Sequence, residues 1–512
     1  MTVRNRVEAV PTLLPSNAHD QRLREHVHPR AWTNPTPAKR YHLVVIGAGT
    51  GGLVTAAAAA GLGARVALVE RHLMGGDCLN VGCVPSKAVI RAARAWHETH
   101  TAAARFGGPV AQGDGDFSVA MERMRRLRAD LSPVDSAARF RELGVDVFFG
   151  EGRFVDDRAV LVGERRLQFR RAVIATGARA AVPHIPGLAD VAYFTNETIF
   201  SLTVRPTHLV VVGGGPIGSE LAQAFARLGA RVTLVNRGAQ LLPRESVDAA
   251  TIIEHALTRD GVRVLHNADV EQVAYVGALT EMTVRHRGVV ETLSTDALLL
   301  AVGRTPNVDG LGLDAAHVAF DARRGVHVND RLRTSSRRIY AVGDVCSALQ
   351  FTHAADFQAR LVVQNALFFG RGKASALVTP RVTFTSPEVA SVGLSELDAH
   401  TGGVATDVVT VPLHDVDRAR LDDETDGFCR VVLARGSDRI LGATIVAEHA
   451  GENIGEVVLA MTAKLGLGAI GRTMHPYPTQ GEMLRKSADA WRRRKLTPTV
   501  KSLFAWYFRW LA

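Results

Sequence analysis

Cysteine is scarce in this chain, which has only 4 cysteines among 512 residues. That number excludes a small secreted scaffold held together by disulfides. Long apolar runs are missing too, because the run at 54–62 is short and interrupted by glycine, and cannot span a bilayer. The N-terminus has no apolar signal segment, so we expect a cytoplasmic protein. A chain of this length predicts two to four globular domains.

Acidic residues are outnumbered by basic ones, and the formal net charge is +10. Such an excess can indicate nucleic-acid binding. Much of it is local, however, since eight Lys or Arg residues and one Asp lie between 484 and 512. The chain has no nucleic-acid-binding motif, and we do not expect nucleic acid as a partner.

Two of the cysteines, Cys78 and Cys83, lie in the string Gly-Gly-Asp-Cys-Leu-Asn-Val-Gly-Cys-Val-Pro-Ser-Lys at 75–87. Thiols at this spacing can close a disulfide across about one helical turn, and Lys87 is expected on the same short helix. A purely stabilising disulfide is the alternative. We expect no metal site, because no second Cys/His pair lies nearby at zinc-ligand spacing.

A dinucleotide-binding pattern precedes this string. Residues 41–70 predict a strand, a Gly-x-Gly-x-x-Gly turn, an Ala-rich helix and a second strand. Gly47 permits the tight turn, Gly49 lets the backbone approach a pyrophosphate, and Gly52 lets the helix pack on the strand. Glu70 ends the second strand, where a carboxylate can bind ribose hydroxyls. The complete strand–helix–strand context makes this motif specific.

The same pattern returns at 208–236, with Gly213, Gly215 and Gly218 in the turn. The internal repeat predicts two dinucleotide sites. The second copy ends in neutral Asn236 where the first ends in an acid, and Arg237 follows it. Loss of the acid together with a guanidinium favours the 2′-phosphate of NADPH, although NADH remains an alternative.

The string at 75–87 resembles the redox-active disulfide helix of the FAD-dependent pyridine nucleotide–disulfide oxidoreductases. The resemblance spans roughly 41–490. It implies that the first copy binds FAD and the second a nicotinamide nucleotide. It also implies that Cys83 lies nearer the flavin, and that Cys78 attacks the substrate.

Further residues match positions of this family. Lys87 and Glu220 match a family ion pair beneath the flavin, although a plain surface ion pair is the alternative. Buried strands at 172–177 and 298–303 end in glycine turns, and a second FAD signature follows at 334–344. The cofactor-contacting residues implied there are Thr176, Gly177, Gly303, Gly343 and Asp344.

The resemblance predicts an α/β protein with two Rossmann-like dinucleotide-binding domains plus an α+β dimerisation domain, and hence a homodimer. The expected divisions are an N-terminal arm at 1–40, a discontinuous FAD-binding domain at 41–200 and 330–377, an NAD(P)-binding domain at 201–329, a dimerisation domain at 378–490 and a basic, aromatic tail at 491–512.

The family's disulfide reductases use a His-Pro-Thr-x-x-Glu motif as acid and base. Here Pro478-Thr479 and Glu482 align with it, but Tyr477 occupies the base position and His475 lies two residues early. A phenol is a poor base at neutral pH. The family's mercuric reductases also have Tyr here, so the resemblance shifts to a mercuric-reductase-like branch.

Full mercuric reductases end in a vicinal cysteine pair, which the tail after Cys429 lacks. We therefore expect a small-molecule, thiol-reactive electron acceptor without naming it. Three alternatives stay open: a disulfide reductase such as dihydrolipoyl dehydrogenase, a membrane-peripheral NAD(P)H:quinone-type reductase, and a non-catalytic flavin-binding protein. The Trp- and Phe-rich segment at 503–511, beside basic residues, predicts either peripheral membrane contact or an aromatic tail packed on the dimer.

Overall fold

The computed structural model describes residues 13–113 and 115–512, so part of the expected N-terminal arm lies outside the described residues. The chain divides into two compact units. The first comprises the described residues up to 103, together with 109–239 and 260–377, and the second comprises 104–108, 240–259 and 378–512. The five-part division expected from the sequence stays a prediction.

The first unit contains a seven-stranded sheet. Its strands are β1 (Tyr41–Ile46), β2 (Val66–Glu70), β3 (Val145–Phe149), β4 (Gly152–Asp156), β5 (Ala159–Val162), β6 (Arg165–Ile174) and β18 (Ile339–Ala341). Their order is β3-β2-β1-β6-β5-β4, with β18 also pairing with β6. The β3-β2-β1-β6 and β6-β18 pairs are parallel. Parallel strands covered on both faces need continuous apolar runs, as β1 and β2 have.

Helices of this unit cover the sheet and bury most of their apolar residues. They are α1 (Ala18–Val27), α2 (Thr50–Gly61), α3 (Gly76–Asn80), α4 (Cys83–Phe106), α5 (Phe117–Leu131), α6 (Ala137–Glu142) and α9 (Thr352–Leu367). Leu23 and Val27 of α1 are fully buried in the core that α2 and β1 share, so the described part of the arm packs on the first dinucleotide-binding fold.

A second parallel sheet lies in the same unit, in the order β10-β9-β8-β14. Its elements are β8 (His208–Val212), α7 (Pro216–Arg227), β9 (Arg231–Val235), β10 (Val262–Leu265) and β14 (Ala297–Leu300). A three-stranded antiparallel sheet is inserted before β14, formed by β11 (Ala268–Val276), β12 (Leu279–His286) and β13 (Val289–Thr295). Two short pairs complete the unit: β7 (Ala178–Ala180) with β15 (Arg304–Pro306), and β16 (Phe320–Asp321) with β17 (Gly325–Val326).

The second unit is built on an antiparallel sheet in the order β19-β20-β23-β22-β21. The strands are β19 (Arg381–Thr383), β20 (Glu388–Gly393), β21 (Thr406–Pro412), β22 (Phe428–Ala434) and β23 (Ile440–Ala447). Its helices are α8 (Val247–Arg259), α10 (Glu396–Thr401), α11 (Asp417–Leu421), α12 (Ala450–Thr462), α13 (Leu467–Ile470), α14 (Glu482–Arg493) and α15 (Pro498–Leu511). The predicted fold class, with two Rossmann-like folds and an α+β domain, is confirmed.

Candidate functional site

The first and third glycines of each glycine-rich turn leave no room for a side chain. A Cβ on Gly52 would lie 1.8 Å from the carbonyl oxygen of Gly47, and a Cβ on Gly218 would lie 1.9 Å from that of Gly213. Gly47 and Gly213 have φ angles of 99° and 117°, which favour glycine. Each helix therefore packs directly on its strand, as the spacing predicts.

The helices after these turns present their N-terminal N–H groups without a side-chain cap. Their N-caps are Gly49 and Gly215, and neither helix has an acidic residue in its first turn. Among the described residues, nothing lies within 4 Å of a Cβ built on Gly215, Gly177 or Gly303. Open backbone and a positive helix end fit the pyrophosphate of a dinucleotide at each turn.

Glu70 is buried at the carboxyl end of β2. Its carboxylate accepts hydrogen bonds from the backbone N–H groups of Ala48 at 2.6 Å and His72 at 2.7 Å. Burial nevertheless raises the pKa of Glu70 above its ordinary value. The acid is thus fixed beside the first glycine turn, where its remaining lone pairs can accept ribose hydroxyls.

The second copy is arranged differently at this position. The Asn236 amide donates to the Gly238 carbonyl at 3.0 Å and contacts His266 Nδ1 at 3.1 Å. Arg237 is 89% exposed, and its Nε lies 3.1 Å from Asp269 Oδ1. The guanidinium expected to bind a 2′-phosphate therefore already faces one carboxylate.

The cysteine-bearing segment forms two helices rather than the single short helix expected from the sequence. Cys78 lies on α3, and Cys83 begins α4, which runs for 24 residues. The break falls at Gly82, where a Cβ would lie 2.8 Å from the Asp77 carbonyl oxygen. Glycine at this position lets the second helix start close against the first, and so brings the two cysteines together.

Both cysteines are free thiols. The neighbouring Cys78 thiol, followed by the hydrogen bond with Thr352 and the charge of Lys87, lowers the pKa of Cys83 to about 6. Thr352 Oγ1 lies 3.3 Å from Cys83 Sγ. The same pairing and burial raise the pKa of Cys78. These opposite shifts favour Cys83 over Cys78 as the thiolate of the pair.

Lys87 and Glu220 meet across two helices, as the resemblance predicts. Lys87 Nζ donates to Glu220 Oε2 at 2.8 Å, with the carboxylate side chain only 7% exposed. Lys87 lies one turn after Cys83 on α4, and Glu220 lies on α7, just after the second glycine turn. The ion pair therefore connects the cysteine segment to the second dinucleotide-binding fold.

Arg304 is a site residue to which the sequence analysis gave no role. It lies between two carboxylates, forming an ion pair with Asp77 and placing its Nε 3.5 Å from Asp344 Oδ2. Burial lowers the pKa of Arg304, but Asp77 and Asp344 outweigh that effect and raise it. Asp344, by contrast, has its pKa raised chiefly by burial. The sequence signal was the position of Arg304 directly after Gly303.

The remaining residues expected near FAD also lie in the first unit. Thr176 Oγ1 donates to the Asn307 carbonyl at 2.7 Å, and Asn307 Nδ2 returns a bond to the Thr176 carbonyl at 2.9 Å. Gly343 has a φ of 75°, and its N–H donates to Gln358 Oε1 at 2.8 Å. These bonds fix the strand-end turns of β6 and β18.

Tyr477 and Glu482 lie in the second unit, each with a partner of its own. The Tyr477 hydroxyl donates to Asp417 Oδ2 at 3.1 Å, and this bond raises the phenol pKa further. Glu482 is buried and pairs with Arg485. The phenol is therefore ionised at neutral pH even less than an isolated tyrosine, so hardly any phenolate is present to act as a base.

His475, the alternative acid–base residue, already has hydrogen-bond partners at both ring nitrogens. Its Nε2 lies 3.1 Å from Glu456 Oε2, and its Nδ1 lies 3.0 Å from the Thr473 carbonyl oxygen. The imidazole side chain is only 8% exposed. Both ring nitrogens are thus engaged within the second unit.

Comparison with known families identifies two matches. Residues 41–359 match the family described as pyridine nucleotide-disulphide oxidoreductase. Residues 379–488 match the dimerisation domain of the same family. The two matches cover both units and every site residue described above.

Curated relatives and solved structures agree with these matches. The mercuric reductase of Acidithiobacillus ferrooxidans is 36% identical to this chain, over 91% of this chain and 86% of its own length. The mercuric reductase of Streptomyces lividans is also 36% identical, over 88% of this chain and 96% of its own length. The HOCl-induced flavoprotein disulfide reductase RclA of Escherichia coli has a TM-score of 0.77 at 29% identity, over 88% of this chain and 99% of its own. LpdA of Mycobacterium tuberculosis has a TM-score of 0.78 at 26% identity, over 89% and 99%.

Proposed function

Because the chain belongs to the pyridine nucleotide-disulphide oxidoreductase family, we propose that it oxidises NAD(P)H and delivers the electrons through Cys78 and Cys83 to a thiol-reactive acceptor. The family implies FAD and a pyridine nucleotide, and its dimerisation domain supports a homodimer. The observation that carries the proposal is the pair of adjacent thiols with opposite pKa shifts, beside the Lys87–Glu220 ion pair.

The residues present fit both cofactors. FAD, when bound, relays two electrons from the nicotinamide to the cysteine pair. Nine residues of the first fold would hold it: Gly47, Gly49, Gly52, Glu70, Lys87, Thr176, Gly177, Gly343 and Asp344. Gly213, Gly215, Gly218, Arg237 and Gly303 would hold the nicotinamide nucleotide. We propose NADPH as that nucleotide, with NADH as the alternative, because Asn236 replaces the acid that would repel a 2′-phosphate.

The two cysteines divide the sulfur chemistry. Cys78 gives up its thiol proton and attacks one sulfur of a disulfide acceptor, and that proton passes to the departing sulfur, which leaves as the first acceptor thiol. The Cys83 thiolate then attacks Cys78 Sγ, which releases the second half of the acceptor as a thiolate that takes a proton from water, and re-forms the Cys78–Cys83 disulfide. The acceptor gains two electrons, and the cysteine pair loses two. With a soft metal ion, both thiolates would serve as ligands instead.

A soft metal ion suits this site better than a disulfide. Thiolate exchange needs a base to deprotonate Cys78, whose pKa is raised, and an acid to protonate the leaving thiol. The Tyr477 phenol is hydrogen-bonded to Asp417, and His475 is engaged by Glu456, so neither supplies an efficient base. Metal binding also requires Cys78 to lose its proton, but it needs no acid to protonate a leaving thiol. The mercuric reductases among the relatives are consistent with this choice.

A steady-state panel tests the proposal. Oxidation of NADPH and of NADH is followed with Hg(II), lipoamide, glutathione disulfide and a soluble quinone as acceptors. We expect Hg(II) turnover to exceed that of either disulfide, and NADPH to be preferred. The Cys78→Ala variant should lose turnover of the thiol-reactive acceptors, whereas Cys429→Ala, which removes a thiol outside the pair, should retain it.

Three results would count against the proposal. Unchanged turnover of every acceptor in Cys78→Ala would remove the cysteine pair from the reaction. Lipoamide turnover at the rate of an efficient dihydrolipoyl dehydrogenase would instead assign the chain to the disulfide reductases. Quinone reduction that survives Cys78→Ala would favour the quinone-type alternative.

We also propose that α15 contacts a membrane surface. No residue of α15 is buried, and its exposed side chains include Leu503, Trp506, Tyr507 and Trp510. Lys501 and Arg509 lie on the opposite side of the helix, about two turns apart. Among the described residues, no helix is long and apolar enough to cross a bilayer. An exposed aromatic face beside basic residues suits the interface of an anionic membrane.

Vesicle sedimentation tests the membrane proposal. The full chain should sediment with vesicles that contain phosphatidylserine and much less with vesicles of phosphatidylcholine alone. Trp506→Ser/Trp510→Ser should abolish binding, whereas Phe368→Ser/Phe369→Ser, a matched change of two exposed aromatic residues, should leave it intact. Equal behaviour of the two variants, or loss of dimer in the first, would instead assign α15 to a protein contact.

A further inference from the structure

A groove lined by arginines lies at one edge of the first sheet. Its cavity volume is about 680 Å³. Five arginines line it, two from β6 and three from the turn that leads into β18: Arg170, Arg171, Arg333, Arg337 and Arg338. Such a concentration of one charge within a single groove is unfavourable unless an anion offsets it.

The groove is separate from both dinucleotide sites. Phe169 pairs with Tyr41, the first residue of β1, so Arg170 and Arg171 lie near the amino-terminal edge of the parallel sheet. The residues expected to hold FAD follow the carboxyl ends of the same strands. Thr176 and Gly177 lie five and six positions after Arg171, beyond the end of β6 at Ile174, which corresponds to at most roughly 15–20 Å of chain. The cofactors of such folds bind at the carboxyl ends, and nothing in that arrangement uses the opposite edge.

The charge of the groove is only partly offset within the described residues. Asp157 is the one carboxylate in its lining, and it lies 3.7 Å from Arg338 Nε and 3.6 Å from Arg158 Nε. Arg171 Nε is buried and has no hydrogen-bond partner among those residues. Burial, with the nearby charges of Arg170 and Arg338, lowers the pKa of Arg171. A buried donor without an acceptor is costly, so this cluster of guanidinium groups is not fully compensated by the described residues.

The turn that carries three of the arginines is rigid. Thr334 Oγ1 donates to the Ile339 carbonyl at 2.9 Å, closing the turn on itself. Ser335 Oγ donates to the His317 carbonyl at 2.8 Å and accepts from the Ala319 N–H at 2.8 Å. These bonds fix the backbone from which Arg333, Arg337 and Arg338 extend, so the guanidinium groups are supported by a pre-formed frame.

We propose that this groove binds a small anion carrying two or more linked phosphates. Guanidinium groups form paired, charge-assisted hydrogen bonds with phosphate oxygens, and several arginines can share the oxygens of one polyphosphate. The cavity lies within the size range of small-molecule sites. A bound anion would join β6 to the turn before β18, the two strands that lead to Thr176–Gly177 and to Gly343–Asp344.

Equilibrium dialysis of the FAD-loaded protein tests this site. The two ligands are pyrophosphate and a nucleoside triphosphate. Saturating NADP⁺ is present throughout, so that neither ligand can bind at the nicotinamide site and contribute to the measured binding. Arg333→Gln/Arg337→Gln removes two exposed arginines of the groove. Arg323→Gln/Arg324→Gln removes two exposed arginines of the β16–β17 turn and makes the same change in net charge.

We expect at least one ligand to bind the wild-type protein with one site per chain. Binding should weaken at least about tenfold in Arg333→Gln/Arg337→Gln, since two charged hydrogen-bond donors are lost, and should be unchanged in the control. Tight binding of pyrophosphate would identify the natural ligand as a free polyphosphate. Binding of the nucleoside triphosphate alone would identify it as a nucleotide. Failure of both ligands to bind, or equal weakening in both variants, would overturn the site. NADPH oxidation measured in parallel keeps this result separate from the proposed function.

Discussion

Lys87 Nζ and Glu220 Oε2 are 2.8 Å apart, although 133 residues separate them in the sequence. The pair joins the helix that begins at Cys83 to the helix that follows the second glycine turn. Both charges act on Cys83, and they act in opposite directions: Lys87 lowers the pKa of its thiol and Glu220 raises it. The ion pair therefore adds two opposing contributions to the Cys83 pKa, after the larger effects of Cys78, burial and Thr352, and it also joins the two helices.

Single substitutions in this pair should shift the Cys83 pKa in opposite directions. Lys87→Met removes the cation and should raise the pKa, whereas Glu220→Gln removes the anion and should lower it, each by roughly half to one unit. The measurement is the rate of Cys83 alkylation by iodoacetamide against pH, with the modified residue located by mass spectrometry. The double variant should lie between the two. Shifts of the same sign in both single variants would exclude this electrostatic account.

The alkylation profile of the wild-type protein should itself be unusual. Since the Cys83 pKa is lowered to about 6, its thiolate is present above that pH, and its alkylation should decrease as the pH falls through about 6. Cys78 should react only at higher pH, because its pKa is raised. Thr352→Val removes a hydrogen bond to Cys83 Sγ and should move the Cys83 midpoint upward, whereas Thr352→Ser keeps the hydroxyl and should not.

Much of the first unit could be predicted because its signals are local. The glycine turns, the strand-end acid and the cysteine string each depend on residues close in sequence, where steric limits leave few choices. Family resemblance added the Lys87–Glu220 pair, which no local pattern contains. Arg304 received no role, because its partners Asp77 and Asp344 come from two other segments that only the folded chain brings together.

Three other features could not be predicted from the sequence, because each depends on residues or atoms that only folding brings together. The break between α3 and α4 at Gly82 was not predicted. A single glycine in the sequence does not show that a backbone oxygen lies where a Cβ would be. The arginine groove combines residues from 170–171 and 333–338, which become neighbours only through the pairing of β6 with β18. The Asp417 partner of Tyr477 lies 60 residues earlier and belongs to a short helix without any motif.

Tyr477 should contribute little to acid–base chemistry. Since its hydrogen bond to Asp417 raises the phenol pKa, the hydroxyl stays protonated at neutral pH. Tyr477→Phe should therefore change glutathione-disulfide or lipoamide turnover by less than about threefold, which is under 1 kcal/mol. Tyr477→His supplies an imidazole near neutral pKa and should increase that turnover about tenfold or more. A large loss in Tyr477→Phe with disulfide acceptors would show that the phenol is a working acid or base.

If Arg237 binds the 2′-phosphate as proposed, the choice between NADPH and NADH should depend on competition for its guanidinium. Its guanidinium forms an exposed ion pair with Asp269, so a 2′-phosphate must displace that carboxylate or share the cation with it. Asp269→Asn should therefore lower the KM for NADPH, and Arg237→Gln should raise it by about threefold to tenfold, while the KM for NADH changes little in either variant.

Arg71 offers a matched control for this experiment, because it follows Glu70 in the first copy as Arg237 follows Asn236 in the second. Arg71→Gln should leave the KM of both nucleotides unchanged. If Arg237→Gln also leaves the KM for NADPH unchanged, Arg237 is a solvated loop residue like Arg71, and neutral Asn236 is the only remaining basis for NADPH preference. Asn236→Glu then tests whether Asn236 determines the preference. A carboxylate at this position repels a 2′-phosphate and accepts a hydrogen bond from a 2′-hydroxyl. The variant should therefore bind NADPH more weakly and bind NADH as well as or better than the wild-type protein.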